Sequence, residues 1–294
     1  MLDASADGSW QDLRERGYVH IRKFLTEVEL LVLQKDWADR AKEHGVSVSG
    51  NYPLFNIPQI IIWRFHRKLK VVTEAVCRAT GVNADTDAGA IYFSTTKGIN
   101  LGWHQDHESY FMYQQHRDYL NFYIPIVKPN ARLTNLCVIP MDRLRLRIPE
   151  HFGNFVGSGA KNFYPGGGET IVHDDENGSE YALPVNLEEL KDTPELEPGD
   201  LLLLRGDVIH RTQDTETDRV AASFRRINSL AVIRKAKFQE GSPKKQDMMR
   251  KNGELYKPMF DCFSELGTDE VTVRQFHSYV IRKATSSVPG SSPW

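Results

Sequence analysis

Regular alternation of apolar and polar side chains predicts a strand-rich middle for this chain. Between residues 119 and 126 every even-numbered position is apolar, whereas Tyr119, Asn121 and Tyr123 occupy the other face of the same strand. Because a strand has a period of two, one face is predicted to pack in a core and the other to offer polar atoms to a pocket. Further apolar runs predict strands at 17–25, 90–95, 133–140, 201–204 and 220–233.

Helical spacing of apolar residues flanks this region on both sides. Thr26 precedes one such stretch, which extends to about residue 43, and Glu29 stands at the capping-box distance from Thr26. A second stretch, 64–80, stops at Gly81, which is typical of a helix C-terminus. After the strands, 253–266 and 271–283 have the same helical spacing. The predicted fold class is therefore α+β, with N-terminal helices that buttress a sheet.

The pattern predicts one domain over residues 1–294, with a β core at about 88–234 and a helical extension at 235–285. Within the core, segment 141–197 is rich in glycine clusters and turn residues. So long an excursion in a compact domain is usually functional, and we expect it to form a lid over a pocket. Residues 286–294 are rich in Ser, Pro and Gly and are predicted to be a disordered tail.

Composition narrows the class of protein. The chain has 294 residues, a formal net charge of −2 and a pI of about 6.6, so nothing favours a nucleic-acid partner. Its three cysteines are far apart and lack C-x-x-C spacing, which argues against a disulfide framework or a zinc site. No apolar stretch is long enough to cross a bilayer, so we expect a cytoplasmic protein with no membrane partner. A homodimer is compatible with these features.

Two histidines and an aspartate are the candidate metal ligands. His104 and Asp106 stand two positions apart, so on an extended segment both side chains leave the same face. His210, which follows the apolar run 201–204, supplies a second imidazole. Two imidazoles and one carboxylate on one face are typical of non-haem Fe(II) oxygenases, in which the other coordination positions stay open. His173 and Asp175 repeat the spacing, but the 37 positions from His173 to His210 are too few for the intervening strands.

Three motifs in this order resemble the phytanoyl-CoA dioxygenase-like group of Fe(II)- and 2-oxoglutarate-dependent oxygenases. They are G-Y-V-H-I-R-K-F-L at 17–25, W-H-Q-D at 103–106, and P-G-D at 198–200 leading to His210. The resemblance covers roughly residues 17 to 230. It implies a double-stranded β-helix, a jelly-roll or cupin-like barrel, in which His104, Asp106 and His210 are the catalytic metal ligands. The implied cofactors are Fe(II), 2-oxoglutarate as co-substrate, and O2.

The resemblance also implies a basic residue that pairs with the remote carboxylate of 2-oxoglutarate. Arg219 is the first candidate, because a guanidinium offers a planar fork, and Arg225 remains the alternative. Weaker candidates for co-substrate contacts are Asn121, Tyr92 and Ser94. Candidates for substrate contacts are Arg225, Ser223 and Tyr123.

The activity implied is hydroxylation, or another oxidation, of a small-molecule metabolite, with succinate and CO2 as co-products, as in a biosynthetic enzyme. Asp106 favours hydroxylation over halogenation, because halogenating relatives have a small residue at that position. Two alternatives remain: a protein side-chain hydroxylase with the same chemistry, or a non-catalytic cupin-like barrel that only binds a ligand.

Overall fold

The computed structural model describes thirteen parts of the chain. These are residues 7–44, 54–95, 102–106, 113–114, 117–154, 161–164, 170–173, 180–182, 184–213, 217–240, 246, 249–250 and 253–286. The α-helices are α1 Asp7–Arg16, α2 Glu27–His44, α3 Gln59–Thr80, α4 Met141–Arg147, α5 Gly253–Leu266 and α6 Val273–Ser286. The strands are β1 Tyr18–Ile21, β2 Leu54–Asn56, β3 Thr86–Thr95, β4 Tyr119–Val127, β5 Leu136–Val138, β6 Lys161–Tyr164, β7 Thr170–His173, β8 Glu180–Ala182, β9 Leu201–Arg205, β10 His210–Thr212, β11 Arg219–Ile227, β12 Val232–Arg234 and β13 Glu270–Thr272.

A large antiparallel sheet forms the centre of the molecule, with its described strands in the order β1-β9-β4-β11-β3-β2. One face of this sheet packs on α1, α2 and α3 in an extensive apolar core. The even-numbered side chains of β4 lie in that core, as the alternation predicts: Leu120, Phe122, Ile124 and Ile126. Their burial turns the odd-numbered positions of β4 toward the opposite face of the sheet.

The opposite face of the large sheet packs on a smaller ladder of strands. Strand β10 pairs with β5, and single bridges add His104 beside His210 and Asp192 beside Val138. A second apolar core joins Tyr123 and Ala221 of the large sheet to Val138 of the ladder. The candidate ligand His210 therefore lies where two packed sheets meet.

The N-terminal helices confirm the predicted capping signals. The Thr26 N–H donates to Glu29 Oε2 at 2.8 Å, and the Glu29 N–H donates back to Thr26 Oγ1 at 3.3 Å. Helix α3 begins earlier than predicted, at Gln59 directly after Pro58. It ends at Thr80, before the capping residue Gly81, whose φ of 75° is left-handed. Together these helices cover the face of the sheet that faces away from the candidate ligands.

Other parts of the pattern are corrected by the structure. The predicted strand 220–233 is two strands, because Asn228 turns the chain between β11 and β12 by accepting a hydrogen bond from the Leu230 N–H at 2.9 Å. Helix α1 lies in a stretch for which no helix was predicted. Segment 141–197 contains α4 and the antiparallel strands β6, β7 and β8 as well as loops. Its role as a lid stays a prediction.

The stretch 253–266 is helix α5, as predicted, whereas the predicted helix 271–283 corresponds to α6 preceded by the short strand β13. Helix α6 extends from Val273 to Ser286, the first residue of the predicted tail. Residues 287–294 lie outside the described part, so the tail stays a prediction. A third apolar core joins α5 and α6 to Tyr113, Tyr119 and Ile227. Among the described helices, none combines the length and the apolar character that a membrane crossing requires.

Candidate metal centre

His104, Asp106 and His210 meet at one point. Each offers a ligand atom, and these atoms all lie within 4.8 Å of one another. Over the described residues, no other group of three His, Cys, Asp or Glu side chains converges in this way. The alternative spacing at His173 falls on β7, and its partner Asp175 lies outside the described residues.

Backbone pairing explains why the two histidines meet although they are far apart in sequence. The His104 N–H donates to the His210 carbonyl at 2.9 Å, and the His210 N–H donates to the His104 carbonyl at 2.8 Å. Their ring centroids are 4.3 Å apart. The short segment that carries His104 is thus paired with β10 through an antiparallel bridge.

Each imidazole is oriented by a carbonyl two residues before it. His104 Nδ1 lies 2.7 Å from the Gly102 carbonyl oxygen, and His210 Nδ1 lies 2.9 Å from the Val208 carbonyl oxygen. A carbonyl oxygen only accepts, so Nδ1 carries a hydrogen in both rings, and in the neutral form of each ring Nε2 has the free lone pair. This is the arrangement in which Nε2 binds a metal ion. His210 Nε2 lies 3.7 Å from Asp106 Oδ1.

The Asp106 carboxylate is buried and accepts a hydrogen bond from a side chain of β4. Asn121 donates from Nδ2 to Asp106 Oδ2 at 3.2 Å, and Ser223 donates from Oγ to Asn121 Oδ1 at 2.8 Å. Burial raises the pKa of Asp106, but His210, Arg225, His104 and the Asn121 hydrogen bond outweigh it and lower that pKa below its ordinary value. Asn121, which we expected at the co-substrate, thus contacts the candidate ligand Asp106, and Ser223, which we expected at the substrate, contacts Asn121. The contacts of both residues with bound molecules stay predictions.

Arg219 lies on the same face of β11 as Ser223 and is completely buried. It donates to the Thr134 carbonyl at 2.7 Å, and its guanidinium lies 5.4 Å from the Tyr123 ring centroid and 5.7 Å from that of Phe93. Tyr123 has a buried hydroxyl with no hydrogen-bond partner among the described residues. Burial raises the pKa of this phenol, while the charge of Arg219 opposes the rise.

Arg225 lies at the other end of this face of β11. It is half-buried and is paired in register with Asn121, so it lies on the Asp106 side of the site. Its charge helps to lower the pKa of Asp106 and also acts on the buried Tyr113, whose pKa burial raises to about 12. Arg219 and Arg225 therefore lie at opposite ends of one face of β11, with Arg225 at the end nearer Asp106.

Tyr92 and Ser94 are corrected by the geometry. Tyr92 lies in the core between the large sheet and the helices, with its ring centroid 5.7 Å from that of Trp37. Ser94 shares that face because side chains two positions apart on a strand point the same way. The positions of β3 that face Arg219 are the odd-numbered ones, as Phe93 shows. Tyr92 and Ser94 are one position out of step with the residues of β3 that face Arg219. Both side chains therefore lie on the helical side of the sheet, away from the candidate ligands.

Sequence reasoning missed the buried supports of this centre. Gln105, between two ligands, donates from Nε2 to the Asp207 carbonyl at 2.6 Å. The Asp207 side chain is in turn held by Arg205 through two hydrogen bonds of 2.6 and 2.8 Å. The alternation of side chains on an extended segment indicates that Gln105 points away from the face that carries His104 and Asp106. Nothing in the sequence indicates that its partner is the Asp207 carbonyl.

Solved structures with a similar backbone include two non-haem α-ketoglutarate-dependent enzymes, SnoN and SnoK. The epimerase SnoN of nogalamycin biosynthesis, crystallised with Fe3+, α-ketoglutarate and nogalamycin RO, has a TM-score of 0.54 at 14% identity, covering 78% of this chain and 86% of SnoN. The carbocyclase SnoK of the same biosynthesis has a TM-score of 0.51 at 12% identity, covering 76% and 83%. EvdO2 from Micromonospora carbonacea var. aurantiaca has a TM-score of 0.51 at 12% identity, covering 78% and 91%.

No protein-family model and no curated protein sequence matches the chain. At 12–14% identity the structural likeness establishes the fold alone. The chain therefore has the fold of the non-haem α-ketoglutarate-dependent enzymes SnoN and SnoK.

Proposed function

We propose that this protein is a non-haem Fe(II)- and 2-oxoglutarate-dependent oxygenase that oxidises a small molecule, with His104, Asp106 and His210 as the metal ligands. The observation that carries the proposal is that the three side chains converge and that each is oriented by a hydrogen bond. The partner of His104 is the Gly102 carbonyl, that of His210 is the Val208 carbonyl, and that of Asp106 is the Asn121 side chain. Two imidazoles and a carboxylate without thiolates suit Fe(II), and this set leaves coordination positions open for co-substrate and oxygen.

We assign the two facing sheets to a double-stranded β-helix of the phytanoyl-CoA dioxygenase-like type. The shared core between the large sheet and the β5–β10 ladder supports this assignment, since a jelly roll consists of two antiparallel sheets packed face to face. The candidate ligands lie at the edge of that core, on the bridge between His104 and His210.

Arg219 is the better candidate for the remote carboxylate of 2-oxoglutarate. Arg219 lies four positions before Ser223 on β11, which corresponds to a rise of ~13 Å. Ser223 donates to Asn121, which donates to the proposed ligand Asp106. An extended arginine and a five-carbon dicarboxylate together fit that interval. Tyr123, in contact with Arg219, offers a buried hydroxyl as a second donor to the same carboxylate.

Arg225 faces the centre from the other end and is the candidate contact for an acidic or polar group of the substrate. This division of roles follows from burial, because Arg219 is fully enclosed whereas Arg225 is half-buried and accessible to a ligand from solvent. Segment 141–197 is the proposed cover of the site.

The bound iron and 2-oxoglutarate would supply the oxidising chemistry, consuming O2 and giving succinate and CO2 as co-products. The residues of the chain would orient the ligand atoms, keep Asp106 ionised and position the substrate at the open face. With a carboxylate at position 106, this face favours hydroxylation, or another oxidation of a C–H bond, over halogenation.

Anaerobic absorption spectroscopy tests the proposal. Addition of Fe(II) and then 2-oxoglutarate to the full-length protein should produce a weak visible charge-transfer band that is absent in His104→Ala. His66→Ala is the matched control, because His66 pairs with Asp87 on the helical side of the large sheet. Succinate release with a pool of metabolites would then identify a small-molecule substrate. A wild-type protein that folds, binds Fe(II) and shows no such band would contradict the proposal.

A further inference from the structure

The side chains next to the two histidine ligands meet on the far side of the metal centre. Trp103 precedes His104 and Arg211 follows His210, and the antiparallel bridge between the histidines places these neighbours beside each other. The Arg211 guanidinium lies 5.1 Å from the Trp103 ring centroid. Because adjacent residues on an extended chain point to opposite faces, this pair faces away from the ligand atoms.

One carboxylate binds both of these side chains. The Trp103 Nε1–H donates to Glu188 Oε1 at 3.0 Å, while Arg211 donates from Nε to Oε1 and from the terminal nitrogen to Oε2, both at 2.8 Å. Lys191 donates a further hydrogen bond to Glu188 Oε2 at 2.6 Å. The hydrogen bonds from Arg211 are the main reason that the pKa of Glu188 is lowered to about 2, so this carboxylate is ionised at neutral pH.

The backbone of Glu188 is itself anchored. Glu188 lies in a short 3-10 helix, Leu187–Glu189, whose capping residue Asn186 accepts a hydrogen bond from the Glu188 N–H at 2.9 Å. The neighbouring Leu187 is completely buried in the core between the two sheets. The exposed Glu188 side chain therefore extends from an anchored backbone to the two segments that carry the histidines.

Precise spacing of those segments matters for metal binding. The isolated bridge supplies only two backbone hydrogen bonds between His104 and His210, at 2.9 and 2.8 Å. Metal–ligand distances, in contrast, are defined to about 0.2 Å. The hydrogen bonds of Glu188 lie one position further along the same bridge, where they limit shear between the segments.

We propose that Glu188 is a positioning residue for the metal centre, which fixes the separation of His104 and His210 by binding Trp103 and Arg211 together. This inference rests on the proposed function only in taking His104, Asp106 and His210 as the metal ligands. Glu188 touches neither the ligand atoms nor the open face, so its effect is on metal affinity and ligand geometry.

Titration of the metal-free, full-length protein with Co(II), followed by visible absorption, measures this effect without turnover. Glu188→Ala should weaken Co(II) binding roughly tenfold and alter the absorption band. Glu188→Gln, which keeps an acceptor of the same shape, should fall between. Glu189→Gln is the matched control, since Glu189 is an exposed acid in the same 3-10 helix and should leave the affinity unchanged.

A second variant keeps the test decisive should Glu188→Ala fail to fold, as judged by far-UV circular dichroism at the titration temperature. Trp103→Phe keeps an aromatic ring but removes the indole N–H that donates to Glu188, and should weaken Co(II) binding roughly threefold. Wild-type affinity in the folded Glu188→Ala variant, or in Trp103→Phe if the former is unfolded, would overturn the proposal. Equal Co(II) binding by wild type and His104→Ala would instead refute the metal centre itself.

Discussion

Replacement of Arg219 by lysine tests which arginine holds the co-substrate. Arg219→Lys keeps a positive charge at a buried position but loses the planar fork, and with it at least one charge-assisted hydrogen bond to a carboxylate. Such a bond contributes about 1.5–3 kcal/mol. The Kd for 2-oxoglutarate should therefore rise by roughly ten- to a hundredfold. Lysine can still donate to the Thr134 carbonyl, so folding should persist.

The assay is an anaerobic titration of the Fe(II)-loaded protein with 2-oxoglutarate, followed by its visible absorption band. Arg225→Lys is the paired variant, because Arg225 lies on the same strand face and also carries a charge toward the site. We expect the Kd for 2-oxoglutarate to change little in Arg225→Lys. The opposite outcome, with a large rise only in Arg225→Lys, would refute the division of roles between the two arginines.

Three further predictions follow from the surroundings of the ligands. Tyr123→Phe removes a buried hydroxyl with no hydrogen-bond partner among the described residues, so the unfolding free energy of the metal-free protein should rise by up to about 1 kcal/mol. The same variant should bind 2-oxoglutarate several-fold more weakly. Equal 2-oxoglutarate affinity in the variant and the wild type would exclude Tyr123 from the site. Asn121→Ala removes the donor to Asp106 Oδ2 and should weaken Co(II) binding about tenfold in the same absorption titration, an effect that Asn130→Ala on the exposed turn should not reproduce. In the folded protein the pKa of Glu188 is lowered from 4.5 to about 2, so its stabilising contribution should be complete above pH 4.5 and disappear as the pH falls toward 2. The unfolding free energies of wild type and Glu188→Gln, measured with urea, should therefore converge over that pH interval.

Local patterns along the chain were sufficient for much of the architecture. Thr26 and Glu29 predicted the start of α2, Gly81 predicted the end of α3, and the alternation in β4 predicted which side chains enter the core beneath the helices. These signals work because capping and strand periodicity depend on residues a few positions apart. The break between β11 and β12 escaped this reasoning, since the apolar character continues past the Asn228 turn.

The spacing of His104 and Asp106, followed by His210 after a buried strand, was enough to predict a metal centre, because two ligands of the set are neighbours on an extended segment. The contacts around that centre depended on the tertiary structure. Asn121 meets Asp106, Glu188 meets Arg211, and Tyr92 turns to Trp37 only because strand register and sheet packing decide which distant residues share a face. The sequence by itself determined which side chains could bind a metal ion, and the packing of two sheets decided which others hold them in place.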